Sequence, residues 1–379
     1  MHEYDFDDSE YNAYESEARV IYGVLGIINI YPISYLWVIT EYDNSKLLRI
    51  CGEEVYQISK VELIPLASKD KSDNKAYKDG IKRLLSSGFY FSYGYDLTKR
   101  LQRSKGDDKY WWNKNLYVDF KNYNISSDWA VKVIQGYVGH ASMPVESHTM
   151  EISLISRRRY AMAGTRYSKR GIDDNGNVAN FVESEQIIQI EDYKIAIVQI
   201  RGSVPAFWEQ TGISANLKMT RNFEMDNKAF DKHFKDMLDE YDKIVWANLL
   251  NNKRSYELVL IKRFEELVKK VKGTNNRYLY FNFHKEWENN NFNALHEKLK
   301  VGNIANFLGY HIKHKGKTLK NQVGVFRSNW LDWLDRTNIW QAYYCFKGFH
   351  HLINFLRKQK VLDEEVAEVT SGEAIGTCK

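Results

Sequence analysis

Cysteine is scarce in this chain: three among 379 residues, at positions 51, 345 and 378. They lie far apart and lack metal-ligand spacing, so a reducing compartment is the simplest setting. An excess of one charge sign is missing too. The 54 Lys and Arg face 49 Asp and Glu, a formal net charge of +5. Any anion-binding role therefore rests on local clustering rather than on overall charge. Asp5, Asp7, Asp8 and Glu10 make the N-terminus acidic, unlike a signal or transit peptide. An apolar stretch long enough to suggest a membrane span, residues 20–40, is interrupted by Gly23, Gly26, Asn29, Pro32 and Ser34. It reads as two short strands joined by a turn. The chain is expected to be soluble, or peripheral to a membrane.

What is present is length and pattern. A chain of 379 residues has room for two domains with separate cores, and 44% hydrophobic content is ordinary for a globular protein. Residues 16–67 are rich in β-branched and aromatic side chains with turn residues between them, and read as strands. Helical spacing predicts helices over 77–85 and 96–103, and strand-like patterns return at 116–120 and 129–137. This β-rich α+β half closes near 142–147. Beyond it, 150–156, 179–190 and 195–200 read as strands, and 227–241 and 256–271 as helices with apolar residues at helical spacing. Residues 244–250 and 278–283 read as buried central strands, and 291–299 and 338–358 as helices. Such alternation indicates an α/β second half. The expected division is 1–147, 148–362 and a polar, disordered tail at 363–379.

One stretch carries chemistry. Residues 327–338 read Arg-Ser-Asn-Trp-Leu-Asp-Trp-Leu-Asp-Arg-Thr-Asn, after an apolar strand at 323–326 and before a helical pattern. A loop handing a strand over to a helix rings an anion with backbone N–H groups and the helix N-terminus. Trp330–Arg336 is the expected loop and the helix is expected from Thr337 onward. Arg336 sits where a guanidinium forks onto phosphate oxygens. Asp332 and Asp335 are the carboxylates within the loop. Thr337 is placed to hydrogen-bond position 330 or to cap the helix. The bland alternative makes Trp330, Leu331 and Leu334 core residues and Asp335–Arg336 an ordinary ion pair.

Basic residues crowd 157–170: Arg157, Arg158, Arg159, Arg166, Lys169 and Arg170. Such a cluster is usually a solvated face. Beside a phosphate loop it suits a headgroup bearing several phosphates on an anionic membrane. No nucleic-acid motif or aromatic interleaving supports a nucleic-acid partner. His284 with Glu286 raises the question of a metal, but a positioning pair near the loop fits better. His311 with His314, and His350 with His351, lack a third ligand. No metal and no cofactor are expected.

The 327–338 stretch resembles the active-site signature of the Sac family of phosphoinositide phosphatases, whose pattern has cysteine where this chain has Trp330 and Trp333. The resemblance extends along the chain. It takes in residues 89–103 and Trp112-Asn113, the Leu-Ile-Ser-Arg-Arg strand at 154–158 and Gly-Thr-Arg-Tyr at 164–167. Arg-Gly-Ile-Asp at 170–173, Ala-Asn-Phe-Val-Glu at 179–183, Arg-Gly-Ser-Val-Pro at 201–205 and Phe-His-Lys-Glu at 283–286 also match. It implies a β-rich α+β N-terminal Sac module followed by an α/β catalytic domain of the cysteine-phosphatase kind. It also implies hydrolysis of monophosphates on the inositol ring of membrane lipids through a phosphocysteine at position 330. Asp332 and Arg336 would be catalytic. Asp335, Thr337, Asn338, Arg157, Arg158, Arg166, Lys169, Arg170, Arg201, His284 and Lys285 would bind phosphate or headgroup. The setting implied is cytoplasmic and peripheral to membranes of the endoplasmic reticulum, Golgi or endosomes. Family members often carry a membrane anchor or further domains after this helix, so membrane targeting is not carried over.

Three positions depart sharply. Trp287, Trp330 and Trp333 stand where the family has cysteine. Indole is far larger than a thiol, and its N–H is a donor only, so it cannot serve as a nucleophile. Covalent phosphoryl transfer is lost if Trp330 is genuine, leaving a pseudophosphatase that binds phosphoinositides or proteins. Ordinary decay of an active site would bring in Ser, Ala or Gly at least once. The same costly replacement three times points to a TGA codon, read as cysteine in some ciliates and rendered as tryptophan by other translation tables. Trp246 is a weaker member of that set. Met162 and Asn282 also depart, where the family favours arginine and aspartate.

Overall fold

The computed structural model describes residues 19–66, 75–85, 88–122, 124–126, 129–164, 169–211, 216–271, 273, 275–282, 301–331 and 334–362. The first strands, β1 (Gly23–Ile30), β2 (Ile33–Ile50) and β3 (Glu53–Pro65), form an antiparallel meander. The apolar run at 20–40 thus falls largely into two paired strands with the turn at Tyr31-Pro32, as its interruptions imply. Helix α1 (Lys75–Leu84) precedes β4 (Phe89–Phe91), and a short helix α2 (Val118–Asn122) precedes β5 (Ile134–Val145). Next come β6 (His148–Arg158), β7 (Val182–Ile190), β8 (Tyr193–Ser203) and a separate hairpin of β9 (Trp208–Thr211) and β10 (Asn216–Met219). The remaining elements are α3 (Phe223–Leu238), β11 (Lys243–Asn248), α4 (Ser255–Lys270), β12 (Asn276–Tyr280), α5 (Val301–Leu308), β13 (His311–His314), β14 (Lys317–Lys320), β15 (Gly324–Trp330) and α6 (Leu334–Lys358).

A 13-stranded sheet organises these elements, in the order β1-β2-β3-β4-β5-β6-β7-β8-β15-β11-β12, with β13 on β8 and β14 on β13. Pairing is antiparallel from β1 to β8, then parallel through β15, β11 and β12. The sheet passes without a break across the expected boundary at 147, since β5 and β6 form one hairpin there. The mixed α/β architecture with a large central sheet agrees with the mixture of strands and helices read from the sequence.

Parallel strands need both faces covered. Along β11, Ile244 and Trp246 face one way and Val245 and Ala247 the other. One face packs on α3 and α4 through Phe230, Met237, Leu260 and Phe264. The opposite face packs on α5 and α6 through Ile304, Leu308, Trp340 and Leu356. Asn222 caps α3, its side-chain oxygen accepting from the Met225 N–H at 3.0 Å.

Three expectations give way. The helix expected over 96–103 is a series of turns, because carboxylates capture its backbone donors: Asp96 Oδ1 accepts from the Thr98 N–H at 3.0 Å and Glu185 Oε1 from the Leu101 N–H at 2.7 Å. The strand expected at 116–120 is a 3₁₀ turn running into α2. The last helix begins at Leu334 rather than at Thr337. The helix expected at 291–299 lies outside the described residues.

Candidate functional site

The carboxyl ends of β8, β15 and β11 lie side by side, with Trp330 opposite Ser203 and Asn329 opposite both Gly202 and Asn248. In α/β sheets this edge is where ligands bind. The β15 strand ends at Trp330 and α6 opens at Leu334. The backbone N–H groups of a helix's first turn have no partners within the helix and carry the positive end of its dipole. Strand, short connection and long helix are the parts an anion loop requires.

The last residues of β15 are polar yet fully buried. Arg327, Ser328 and Asn329 are each 0% exposed. Arg327 donates to the carbonyl oxygens of Ser203 at 2.7 Å, Ser328 at 3.0 Å and Gly202 at 3.4 Å. Asn329 Nδ2 donates to Asn248 Oδ1 at 3.0 Å, and Asn248 Nδ2 donates to Tyr278 Oη at 2.9 Å. Asn282 continues this amide row from β12, donating to Asn252 Oδ1 at 2.5 Å. Thr337 is buried one turn into α6, while Asn338 is exposed and accepts from Arg201 Nη1.

The basic cluster at 157–170 separates into two groups. Arg157 is buried between Glu183 and Glu185, at 2.8 and 2.6 Å. Arg159 meets Asp236 at 2.7 Å and lies over the Phe181 ring. Burial alone would lower both guanidinium pKa values, yet the carboxylates, with Tyr110 beside Arg159, hold them above the ordinary value. Arg157 exposes no surface to a headgroup, so its ion pairs account for it. That is a correction to its expected role, and the reason is the pair of glutamates on β7.

Other arginines face the site. Arg170 donates from Nη1 to the Leu331 carbonyl oxygen and from Nη2 to Gln210 Oε1 at 3.4 Å, with Trp208 beneath its guanidinium. Lys169, its neighbour, is exposed. Arg158 donates to the Gly164 carbonyl and to Asn180 Oδ1. Arg158, Arg201 and Arg327 have no carboxylate in ion-pair contact among the described residues. All three are held below the usual arginine pKa. Burial pushes Arg327 to about 9, burial and then the Arg158 charge push Arg201 to about 10, and burial lowers Arg158.

Arg166, His284, Lys285, Trp287, Asp332 and Trp333 lie outside the described residues, as do the side chains of Trp330, Asp335 and Arg336. Among the described residues no group of three His, Cys, Asp or Glu could hold a metal, and no helix is long and apolar enough to cross a membrane. Trp246 has a made place: its ring packs among Phe230, Phe234 and Phe264. Arg327, Asn329 and Asn248 were assigned no role from the sequence. The available signal was a run of three polar residues, Arg327 to Asn329, inside a strand that must be buried.

The family model described as SacI homology domain matches residues 22–288. Rat synaptojanin-1 is 33% identical over 85% of this chain and 21% of its own length. An uncharacterized protein of Schizosaccharomyces pombe is 34% identical over 88% of this chain and 60% of its own. The zebrafish protein named phosphatidylinositol-3-phosphatase SAC1-B is 32% identical over 86% of this chain and 59% of its own. The chain thus spans about a fifth of the synaptojanin and under two thirds of the other two.

Proposed function

The chain belongs to the SacI homology domain family of phosphoinositide phosphatases, and we propose that it hydrolyses monophosphates from the inositol ring of phosphatidylinositol phosphates. The observation that supports this most is the uncompensated charge: Arg158 and Arg201, both register partners of Val182 and so on one face of the sheet, have no counter-carboxylate among the described residues, and Arg170 reaches the backbone at Leu331. Burying cations without partners is unfavourable unless an anion completes them. A phosphate ester at the opening of α6 would do so.

In this reading position 330 is a cysteine in the living organism. Its thiolate attacks phosphorus in line with the ester oxygen, so an S–P bond forms as the P–O bond to inositol breaks. Asp332 gives its proton to the departing alkoxide. Arg336 holds the equatorial oxygens while the amides of the loop ring them. A water activated by the deprotonated Asp332 then attacks phosphorus, releasing phosphate and regenerating the thiolate. No cofactor or metal enters any step. Arg158, Arg201, Lys169 and Arg170 hold the headgroup, with Arg166, His284 and Lys285 as further contacts. In this scheme residues 148–362 form the catalytic unit, resting on the N-terminal module.

The second reading takes Trp330 at face value. A side chain with no lone pair to donate leaves a module that binds phosphoinositide membranes without turnover.

Short-chain phosphatidylinositol 4-phosphate separates the two readings. The Trp330→Cys protein is expected to release phosphate and the Trp330→Ser protein to release none. Binding to acidic liposomes with no release from Trp330→Cys supports the module instead.

A further inference from the structure

We propose that Arg327 is an electrostatic positioning residue for the anion site, acting from beneath it without touching ligand. The proposal rests on the phosphate-site reading above and names a residue that reading leaves without a role. Arg327 is 0% exposed, so no headgroup can reach its guanidinium. Its side chain runs up β15 toward the carboxyl end and donates to the carbonyl of Ser203, the register partner of position 330. Neighbouring strands lie about 4.8 Å apart, which sets the charge within roughly one strand spacing of the backbone at 330.

Its surroundings supply dipoles but no opposite charge. Three peptide carbonyls accept from it, and a titratable neighbour on the α3 side, His233, is fully buried. Burial and the charge of Arg327 itself hold His233 well below its usual pKa, so that imidazole stays neutral. Arg159, also near His233, is already neutralised by Asp236. The carboxylates on that face are held by other arginines, Glu183 by Arg157 and Asp236 by Arg159, and neither is in ion-pair contact with Arg327.

A purely structural arginine is normally paired, as Arg157 is in this same sheet. The unpaired guanidinium instead makes the fold carry an electrostatic strain that a bound dianion relieves. Arg327 also ties the ends of β8 and β15 together, which keeps the loop's starting point in register while the charge acts.

The test is a titration of the full chain carrying Trp330→Ser, which removes the indole without supplying a thiolate, followed by thermal unfolding and calorimetry with inorganic phosphate. Phosphate is expected to raise the melting temperature in proportion to its concentration. Adding Arg327→Gln is expected to weaken phosphate affinity about tenfold, the scale of a unit charge acting at short range through protein. The melting temperature without phosphate should barely fall. Arg327→Lys, which keeps the charge and loses the fork, is expected to retain most of the affinity while melting earlier. Unchanged affinity in Arg327→Gln overturns the proposal and leaves the phosphate site standing. If Arg327→Gln does not fold, Arg327→Lys decides: a tenfold loss there shows that charge is not the cause and overturns the proposal. Absence of any phosphate effect in the Trp330→Ser protein itself removes both the proposal and the site beneath it.

Discussion

Arg170 donates a hydrogen bond to the carbonyl oxygen of Leu331, the residue that follows position 330, across 161 residues of chain. The contact joins the basic segment to the loop and makes Arg170 a brace for the backbone that must receive phosphate. Replacing it by alanine removes a charged hydrogen bond of about 1.5–3 kcal/mol. Arg170→Ala is therefore expected to raise the KM for a short-chain phosphoinositide about tenfold in a Trp330→Cys background. Arg170→Lys should recover part of this. An unchanged KM with a lowered melting temperature would make the contact merely structural.

Residue 330 itself is open to direct reading. Peptide mass spectrometry across 327–341 of natively expressed protein is expected to show cysteine at 330 and 333, with cysteine at 287 in its own peptide. A TGG codon at 330 ends that idea and leaves the non-catalytic module.

The paired arginines should behave differently from the unpaired ones. Arg157 lies fully buried between Glu183 and Glu185. Removing one partner of such a group strands the other charges, at a cost of about 3–5 kcal/mol. Arg157→Met is expected to lose stability on this scale in urea unfolding. The folded protein's affinity for phosphate should stay within about twofold, because the residue is fully buried three strands from β15.

Acid should weaken the joint that ties helix α3 to Lys109 and to Arg159 just past β6. Burial alone would raise the Asp236 pKa, but Arg159 at 2.7 Å and Lys109 at 2.5 Å bring it below the ordinary 3.8. A carboxylate whose folded pKa is depressed contributes stability above its unfolded pKa and loses it as pH falls through the folded one. The chain is therefore expected to lose stability as pH falls below about 3.8. In Asp236→Asn that part of the loss should be absent, since the variant starts lower and stays flatter. Melting temperatures between pH 6 and pH 3 check it, and parallel curves for the two proteins would contradict the assignment.

Much of the architecture was legible because hydrophobic period and β-branching dominate it. The helices α3 and α4 and the strands β7, β8, β11 and β12 fall where apolar spacing puts them. Failures occurred where side chains compete with the backbone. At 96–103 the apolar spacing of a helix is present, but Asp96 and Glu185 take the N–H groups a helix needs. The basic run 157–170 misled in one direction only. Strand alternation sends Arg157 and Arg158 to opposite faces of β6, so adjacent arginines meet different partners. No local pattern could show that Glu183 and Glu185, on a different strand, would claim the first of them. Arg327 was overlooked for a related reason: a charged residue inside a strand signature reads as surface until its neighbours are known.

The hairpin of β5 and β6 carries a practical consequence for anyone dissecting this protein. Eleven register pairs join these strands across residues 146–147. A cut there frees two long rows of peptide donors and acceptors, each ready to recruit a foreign strand. A fragment beginning at residue 148 would tend to clump before its chemistry could be assayed, whereas a chain kept whole through this seam offers neither raw border.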